Sequence, residues 1–254
     1  PRSTLFPYTT LFRSGQATEG QASGQTTASG MWQRNAVFNQ GSVEVGTSDF
    51  EVKDRVQASF AYQFKFWRDL KTTASLYYEG RSGSPYSYAY SNDLNNDGFA
   101  GNDLVAIPTD VNDARFDFSG LSTAQRDAMF AYIQASGLSK YAGSYVPKNT
   151  LYQPWVNRLD LKLSQKIPFH FKNTEVELWL DFTNFGNFIS KSLFNYVERA
   201  PSVVNDVFER KLVGNATINT TTGKISPTTW SPSDFLVDNV MSRWRIQVGA
   251  RLKF

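Results

Sequence analysis

Five segments of the chain alternate apolar and polar residues with period two, the pattern of a strand whose two faces meet different surroundings. In the first, Val56, Ala58, Phe60, Tyr62, Phe64 and Phe66 fall on one face, with Arg55, Gln57, Ser59, Gln63 and Lys65 on the other. The second sets Ala74, Leu76 and Tyr78 against Thr73, Ser75, Tyr77 and Glu79. The third sets Leu159, Leu161, Leu163 and Ile167 against Arg158, Asp160, Lys162, Ser164 and Lys166. In the fourth, Val176, Leu178, Leu180 and Phe182 oppose Glu175, Glu177, Asp181 and Thr183, with Trp179 on the polar side. The last sets Trp244, Ile246, Val248, Ala250, Leu252 and Phe254 against Arg243, Arg245, Gln247, Gly249, Arg251 and Lys253.

Strand length carries more information than alternation does. Twelve residues at about 3.3 Å each reach roughly 40 Å, which at a tilt near 45° spans about 28 Å, close to the hydrocarbon thickness of a bilayer. Strands of soluble domains usually run about 5 to 6 residues. The connections alternate in length as well: a short turn at 67–70, a long loop over 81–154, a short turn at 168–173 and a long loop over 186–242. That alternation is the signature of an outer-membrane barrel, with short turns on the periplasmic side and long loops outside. Aromatic residues at strand ends fit girdles at the two interfaces: Phe66, Trp67, Phe169, Phe171 and Phe254 on the periplasmic side, and Tyr86, Tyr88 and Tyr90 beyond the outer end of the second strand. The expected fold class is therefore all-β: the last five strands of a larger transmembrane antiparallel barrel, with two long extracellular loops.

Composition agrees once this architecture is in view. The 254 residues carry a net charge of only +3, so no nucleic-acid partner is expected. The absence of Cys and the single His exclude thiolate metal sites, Cys nucleophiles and His-rich clusters. Mean hydropathy is −0.40, as a barrel wall with a wet lumen and large loops should give. An aromatic content of 15% finds its place at the membrane interfaces. Residues 1–14 contain TLFPYTTLFRS, similar to the translation of a sequencing adapter, and are set aside as an artefact. Residues 15–53, whose first half is rich in Gly, Gln, Ser and Thr, are expected to be a flexible loop before the first complete strand, and 54–254 the barrel portion.

Five stretches together resemble the C-terminal barrel of TonB-dependent receptors, most closely the Oar-like subgroup with a carboxypeptidase-regulatory-like N-terminal domain. They are DRVQASFAYQF (54–64), YEGRSGSPYSYAYSNDLNNDGFAGNDL (78–104), PWVNRLDLKLSQKIP (154–168), ELWLDFTNFGN (177–187) and SRWRIQVGARLKF (242–254). The last is similar to the signal read by the barrel assembly machinery, with Trp244, Ile246, Val248, Leu252 and Phe254 as its alternating residues. The resemblance implies an outer-membrane importer with a plug inside a barrel of about 22 strands. Its expected partners are outer-membrane lipid, the assembly machinery, an extracellular ligand and, through an N-terminal part, the TonB complex. The alternative is an outer-membrane adhesin or structural barrel whose loops bind a surface or polysaccharide without transport. No catalytic residues and no enzyme activity are expected.

One loop carries candidate metal chemistry. Asp93, Asn95 and Asp97, followed by Gly98, have the D-x-N-x-D-G opening of a calcium loop, in which oxygens at alternate positions turn about a hard cation. The twelfth position is Leu104, and Asp103 falls one place early. A structural Ca²⁺ held by Asp93, Asn95, Asp97 and Asp103 is the one cofactor the sequence admits; the competing reading is an Asx-rich turn. Within the same long loop, Ser122 and Gln125 form a capping box, Met129, Phe130 and Ile133 an apolar stripe, and Gly137 a stop, which predicts one short helix. His170 is expected to face solvent in a turn. Asn215 and Asn219 head N-x-T triplets that are read as chance in a Thr-rich loop.

Overall fold

The computed structural model describes residues 36–39, 45–48, 50–66, 70–168, 175–199, 210–212, 214–232 and 235–253. Along the chain come β1 (Arg55–Phe66), β2 (Leu70–Arg81), β3 (Pro85–Ala89), helix α1 (Thr123–Ala135), β4 (Leu151–Tyr152), β5 (Val156–Pro168) and β6 (Glu175–Thr183). Two short helices follow, α2 (Phe185–Ile189) and α3 (Lys191–Phe194). The chain ends with β7 (Val197–Arg199), β8 (Arg210–Leu212), β9 (Ala216–Ile218), β10 (Ile225–Pro227), β11 (Phe235–Val237) and β12 (Arg245–Lys253). No helix among the described residues is long and apolar enough to cross a membrane, which says nothing about crossing by strands.

The five periodic segments form one open antiparallel sheet in the order β1-β2-β5-β6-β12. Its register keeps the two faces apart across all five strands. Phe60 pairs with Leu76, Leu76 with Leu161, Leu161 with Phe182 and Phe182 with Ile246, so a single row of apolar residues crosses the whole sheet. The row beside it pairs Ala61 with Ser75, Ser75 with Lys162, Lys162 with Asp181 and Asp181 with Gln247. A slip of one residue at any strand would exchange the two faces. Because neighbours in the sheet are also neighbours in sequence, both long connections leave from the same end of the sheet.

The sheet itself contains little buried core. Phe60, Tyr62, Leu163, Leu178, Ile246 and Leu252 are exposed, and Val248 is 73% exposed. The hydrophobic core lies instead in the unit built by the long connections, here termed the outer unit, beyond the end of the sheet that bears them, its outer end. There Tyr86, Tyr88, Tyr90, Val105, Ile107, Met129, Ile133, Leu138 and Val146 pack together. Minor sheets β4-β3-β8 and β9-β10 frame this unit, and α1 covers it. The helix starts as the sequence requires: Ser122 Oγ accepts from the Gln125 amide at 3.3 Å, and Gln125 Oε1 accepts from the Ser122 amide at 3.0 Å. It stops before Gly137, whose φ of 72° lies in the left-handed region.

Three expectations change. Tyr86, Tyr88 and Tyr90 do not form an outer girdle. They are buried, because β3 is covered on both faces by the outer unit, and the Tyr88 hydroxyl meets that of Tyr132 at 2.8 Å. The second long connection also carries helix, in α2 and α3, which period-two reasoning could not foresee in so short a span. Parts of the expected loop 15–53 are held down. Ala36 and Val37 are buried, with Val37 exchanging hydrogen bonds with Asn102 and Leu104, and Asn149 Nδ2 donates to the Thr47 carbonyl at 2.9 Å. Residues 1–14, expected to be an artefact, the side chain of Phe66, Trp67, Phe169, His170, Phe171 and Phe254 lie outside the described residues.

Candidate functional site

The polar face of the sheet is a ladder of charges. Arg55 and Arg81 approach Glu79 at 3.0 and 3.8 Å, Lys162 meets Asp181 at 3.3 Å, Lys166 meets Glu175 at 3.6 Å, and Lys253 reaches Glu175 and Glu177 at 3.7 and 3.9 Å. This follows from alternation plus register: acids on β6 stand directly opposite bases on β5 and β12. Such half-exposed pairs add little stability each, so their main effect is to make this face hydrophilic. Arg158 pairs instead with Asp160 of its own strand, at 2.7 Å. Arg243 and Arg245 form no ion pair among the described residues.

These arginines mark a cavity of about 430 Å³ at the outer end of the sheet, where β2, β5 and β6 meet the chain leading into β12. Arg81, Arg158, Arg243 and Arg245 line it, and Glu79 is the one acid among the lining side chains. Its shape depends on Asn184. That residue ends β6 with φ 54°, donates its backbone amide to Asp160 at 2.7 Å, and sends its side-chain amide to the Ser242 carbonyl at 2.9 Å. One residue, through its backbone amide and its side chain, thereby ties β5 to the segment leading into β12. A recess rich in guanidinium groups can hold a carboxylate or phosphate by paired N–H donors. The sequence signalled Arg158, Arg243 and Arg245 as strand residues and put Arg81 at the start of a long loop, but the recess itself needs Arg81 and Arg243, far apart in the chain, to line one cavity.

At the same end the apolar face carries aromatic residues. Phe182, Phe185, Phe188 and Trp244 form one cluster, with ring centroids 5.0 to 6.4 Å apart. Tyr78 Oη donates to Asn157 Oδ1 at 2.7 Å, and Trp155 Nε1 donates to the same oxygen at 3.1 Å. These rings, half-exposed with polar tips, stand where the Tyr86 to Tyr90 run was expected to stand. Trp244 belongs to this cluster, while Ile246, Val248 and Leu252 lie exposed on the apolar face of β12.

The Asx loop folds as a tight turn in the outer unit. Asp93 accepts from the amides of Asp97 (3.1 Å) and Gly98 (2.9 Å), Asn95 Oδ1 accepts from Asp97 (2.9 Å), and Asp97 accepts from Phe99 (2.9 Å) and from the Asn102 side chain (2.7 Å). Asp103, and not the twelfth residue Leu104, turns into the loop: its Oδ2 accepts from the Leu94 amide at 2.6 Å. Burial pushes the Asp103 carboxyl up to about 7; the Leu94 amide opposes this, and repulsion from Asp97 and Asp93 adds to it. Among the described residues no group of three or more His, Asp or Glu side chains is gathered as a metal ion would require. Asn219, read as a chance triplet, caps the amides of Thr221 and Thr222 at 2.9 and 3.0 Å.

Comparison with protein-family models, with curated proteins and with solved structures finds no match.

Proposed function

We propose that the chain is the C-terminal part of an outer-membrane β-barrel of the TonB-dependent receptor kind, taking up an extracellular ligand through its outer loops and lumen. The observation that carries this reading is the apolar face, shared in register by five strands and exposed or half-exposed from Val56 to Leu252, while the large buried core among the described residues lies outside the sheet. Water would penalise such a face, whereas hydrocarbon would cover it. Strands of 9 to 13 residues suit a tilted crossing. The charged opposite face suits a water-filled lumen, and the arginine-lined recess at its outer end is where a ligand would first meet the lumen wall. In this reading β1 and β12 pair with the remaining barrel strands, because lipid offers no hydrogen bonds to an unpaired edge.

The absence of native Cys allows a direct test. Single Cys replacements at Leu180 and Val248 on one face, and at Asp181 and Gln247 on the other, are reacted in lipid vesicles with a membrane-impermeant maleimide. Labelling at 181 and 247 with protection at 180 and 248 is expected; equal labelling of all four would refute a membrane location. Transport is tested separately, by the TonB dependence of ligand uptake in cells carrying the parent gene. Binding at the cell surface with no uptake due to the parent gene would leave the adhesin or structural barrel in its place.

A further inference from the structure

We propose that the arginine-lined recess binds an organic dianion, a small molecule bearing two carboxylates or one phosphate ester on a short apolar body. The inference rests on the uptake reading and names the class of ligand that the recess admits. Arg81, Arg158, Arg243 and Arg245 line the cavity of about 430 Å³, and Glu79 is the one acid among the lining residues. Two of the four arginines are already partnered. Arg158 holds Asp160 at 2.7 Å, and Arg81 lies 3.8 Å from Glu79, a carboxylate that Arg55 also approaches at 3.0 Å. Arg243 and Arg245 have no acid partner among the described residues, which leaves at least two positive charges uncancelled in one recess. Deeper on the same face, by contrast, Lys162 meets Asp181, and Lys166 and Lys253 meet Glu175 and Glu177. Like charges gathered together repel, and a ligand with two negative charges would cancel them through charge-assisted hydrogen bonds.

The backbone around the recess is held from several directions. The Asn184 side-chain amide fixes the Ser242 carbonyl, next to Arg243, at 2.9 Å, and the Tyr196 amide donates to Ser242 Oγ at 2.9 Å. Asn157 Nδ2 donates to the Leu193 carbonyl at 3.0 Å, which ties α3 to β5. Backbone anchored in this way sets the origins of the arginine side chains before a ligand arrives, and so lowers the ordering cost of binding. The rest of the wall argues against a bare inorganic ion. Phe194, Val240 and Met241 also line the recess, and they offer apolar surface that inorganic phosphate cannot use. Guanidinium donors match the oxygens of carboxylates and of phosphates alike, so the two heads share one chemistry.

The test is a calorimetric titration of the full chain, folded in detergent micelles, with glutarate, with propyl phosphate and with the neutral glutaramide. Saturable binding of at least one anion at a Kd on the order of 10⁻⁴ to 10⁻³ M is expected, about tenfold or more tighter than glutaramide, and the tighter anion identifies the head. Arg243→Gln and Arg245→Gln should each weaken that anion about tenfold or more. Arg251→Gln, the same loss of charge at the far end of β12, should leave it unchanged. If a recess variant fails to fold, phenylglyoxal modification of the wild type decides: the bound anion should protect Arg243 and Arg245 and leave Arg251 reactive. Neither anion binding at about 10 mM, or binding that survives both substitutions with neither arginine protected, would overturn the dianion site. The maleimide experiment keeps the two readings apart. Failed anion binding with labelling confined to positions 181 and 247 strikes only the ligand class, whereas equal labelling with anion binding intact strikes only the membrane location.

Discussion

Trp179 lies over Gly249, its directly paired neighbour across β6 and β12. A Cβ built on that glycine would fall within the indole, so the large ring and the missing side chain are one feature. This accounts for an aromatic residue on an otherwise charged face: the indole covers bare backbone and lies beside Lys162 (6.0 Å) and Arg251 (5.9 Å). Gly249→Val should therefore displace the ring, destabilising the sheet by about 1 to 3 kcal/mol. Trp179 emission should shift to the red in the same variant; a blue-shifted or unchanged spectrum would show that the ring does not depend on position 249.

Charge placed on the two faces of β12 should give opposite results. In the proposed barrel Val248→Lys puts a charge on the lipid face and is expected to cost up to about 2 to 4 kcal/mol, while Gln247→Lys, one residue away on the polar face, should cost little. Reversible unfolding in lipid vesicles would measure both, and equal penalties would contradict the assigned faces.

Arg115 holds the outer unit from its surface. It donates to Asp113 at 2.6 Å and to the carbonyls of Gly143 (2.7 Å) and Ile107 (3.2 Å). The hydrogen bond from Arg115 keeps the Asp113 carboxyl well below the usual carboxylate range. A carboxyl whose folded pKa is depressed contributes stability above its unfolded value, near about 3.9, and loses it as pH falls toward the folded value. The stability difference between the wild type and Arg115→Ala should therefore be constant at neutral pH and shrink below about pH 4. Exchange rates of the Ile107 and Gly143 amides across that range give the comparison.

The capping box of α1 makes a local prediction. Ser122→Ala removes the acceptor for the Gln125 amide and should cost about 1 kcal/mol, read as faster exchange in the first turn of α1. Met129, 1% exposed beneath the same helix, sits deeper: Met129→Ala should cost about 2 to 5 kcal/mol. If both substitutions left exchange in α1 unchanged, the helix would not be a cooperative part of the outer core.

Much of this was legible before any coordinates. The alternation from Val56 to Phe64 and from Val176 to Phe182 is a local property, enforced by side chains pointing to opposite faces at each step, so the strands and their faces follow from residues a few positions apart. Ser122, Gln125 and Gly137 likewise act within a few residues of themselves and placed α1 correctly. The run Tyr86, Tyr88 and Tyr90 shows where local pattern fails. Its period is that of a half-exposed strand, but every residue of β3 is buried: Tyr132 of α1 packs against Tyr88, and the segment through Val105 hydrogen-bonds along the strand's edge, contacts that no local pattern announces.

The candidate site divides along the same line. Acids on β6 and bases on its neighbours predicted the charged wall, because an antiparallel register brings Lys162 to Asp181 and Lys166 opposite Glu177 once the strands are adjacent. The sequence by itself determined the five strands, their two faces and the capped helix, since each depends on backbone geometry repeated over short range. Only the tertiary structure decided that Asn184 ties Asp160 to Ser242, that Arg81 and Arg243 share a recess, and that Asp103 rather than Leu104 turns into the Asx loop. Those outcomes depend on which distant segments pack together, and packing is settled by the whole burial of the chain rather than by any residue's own preference.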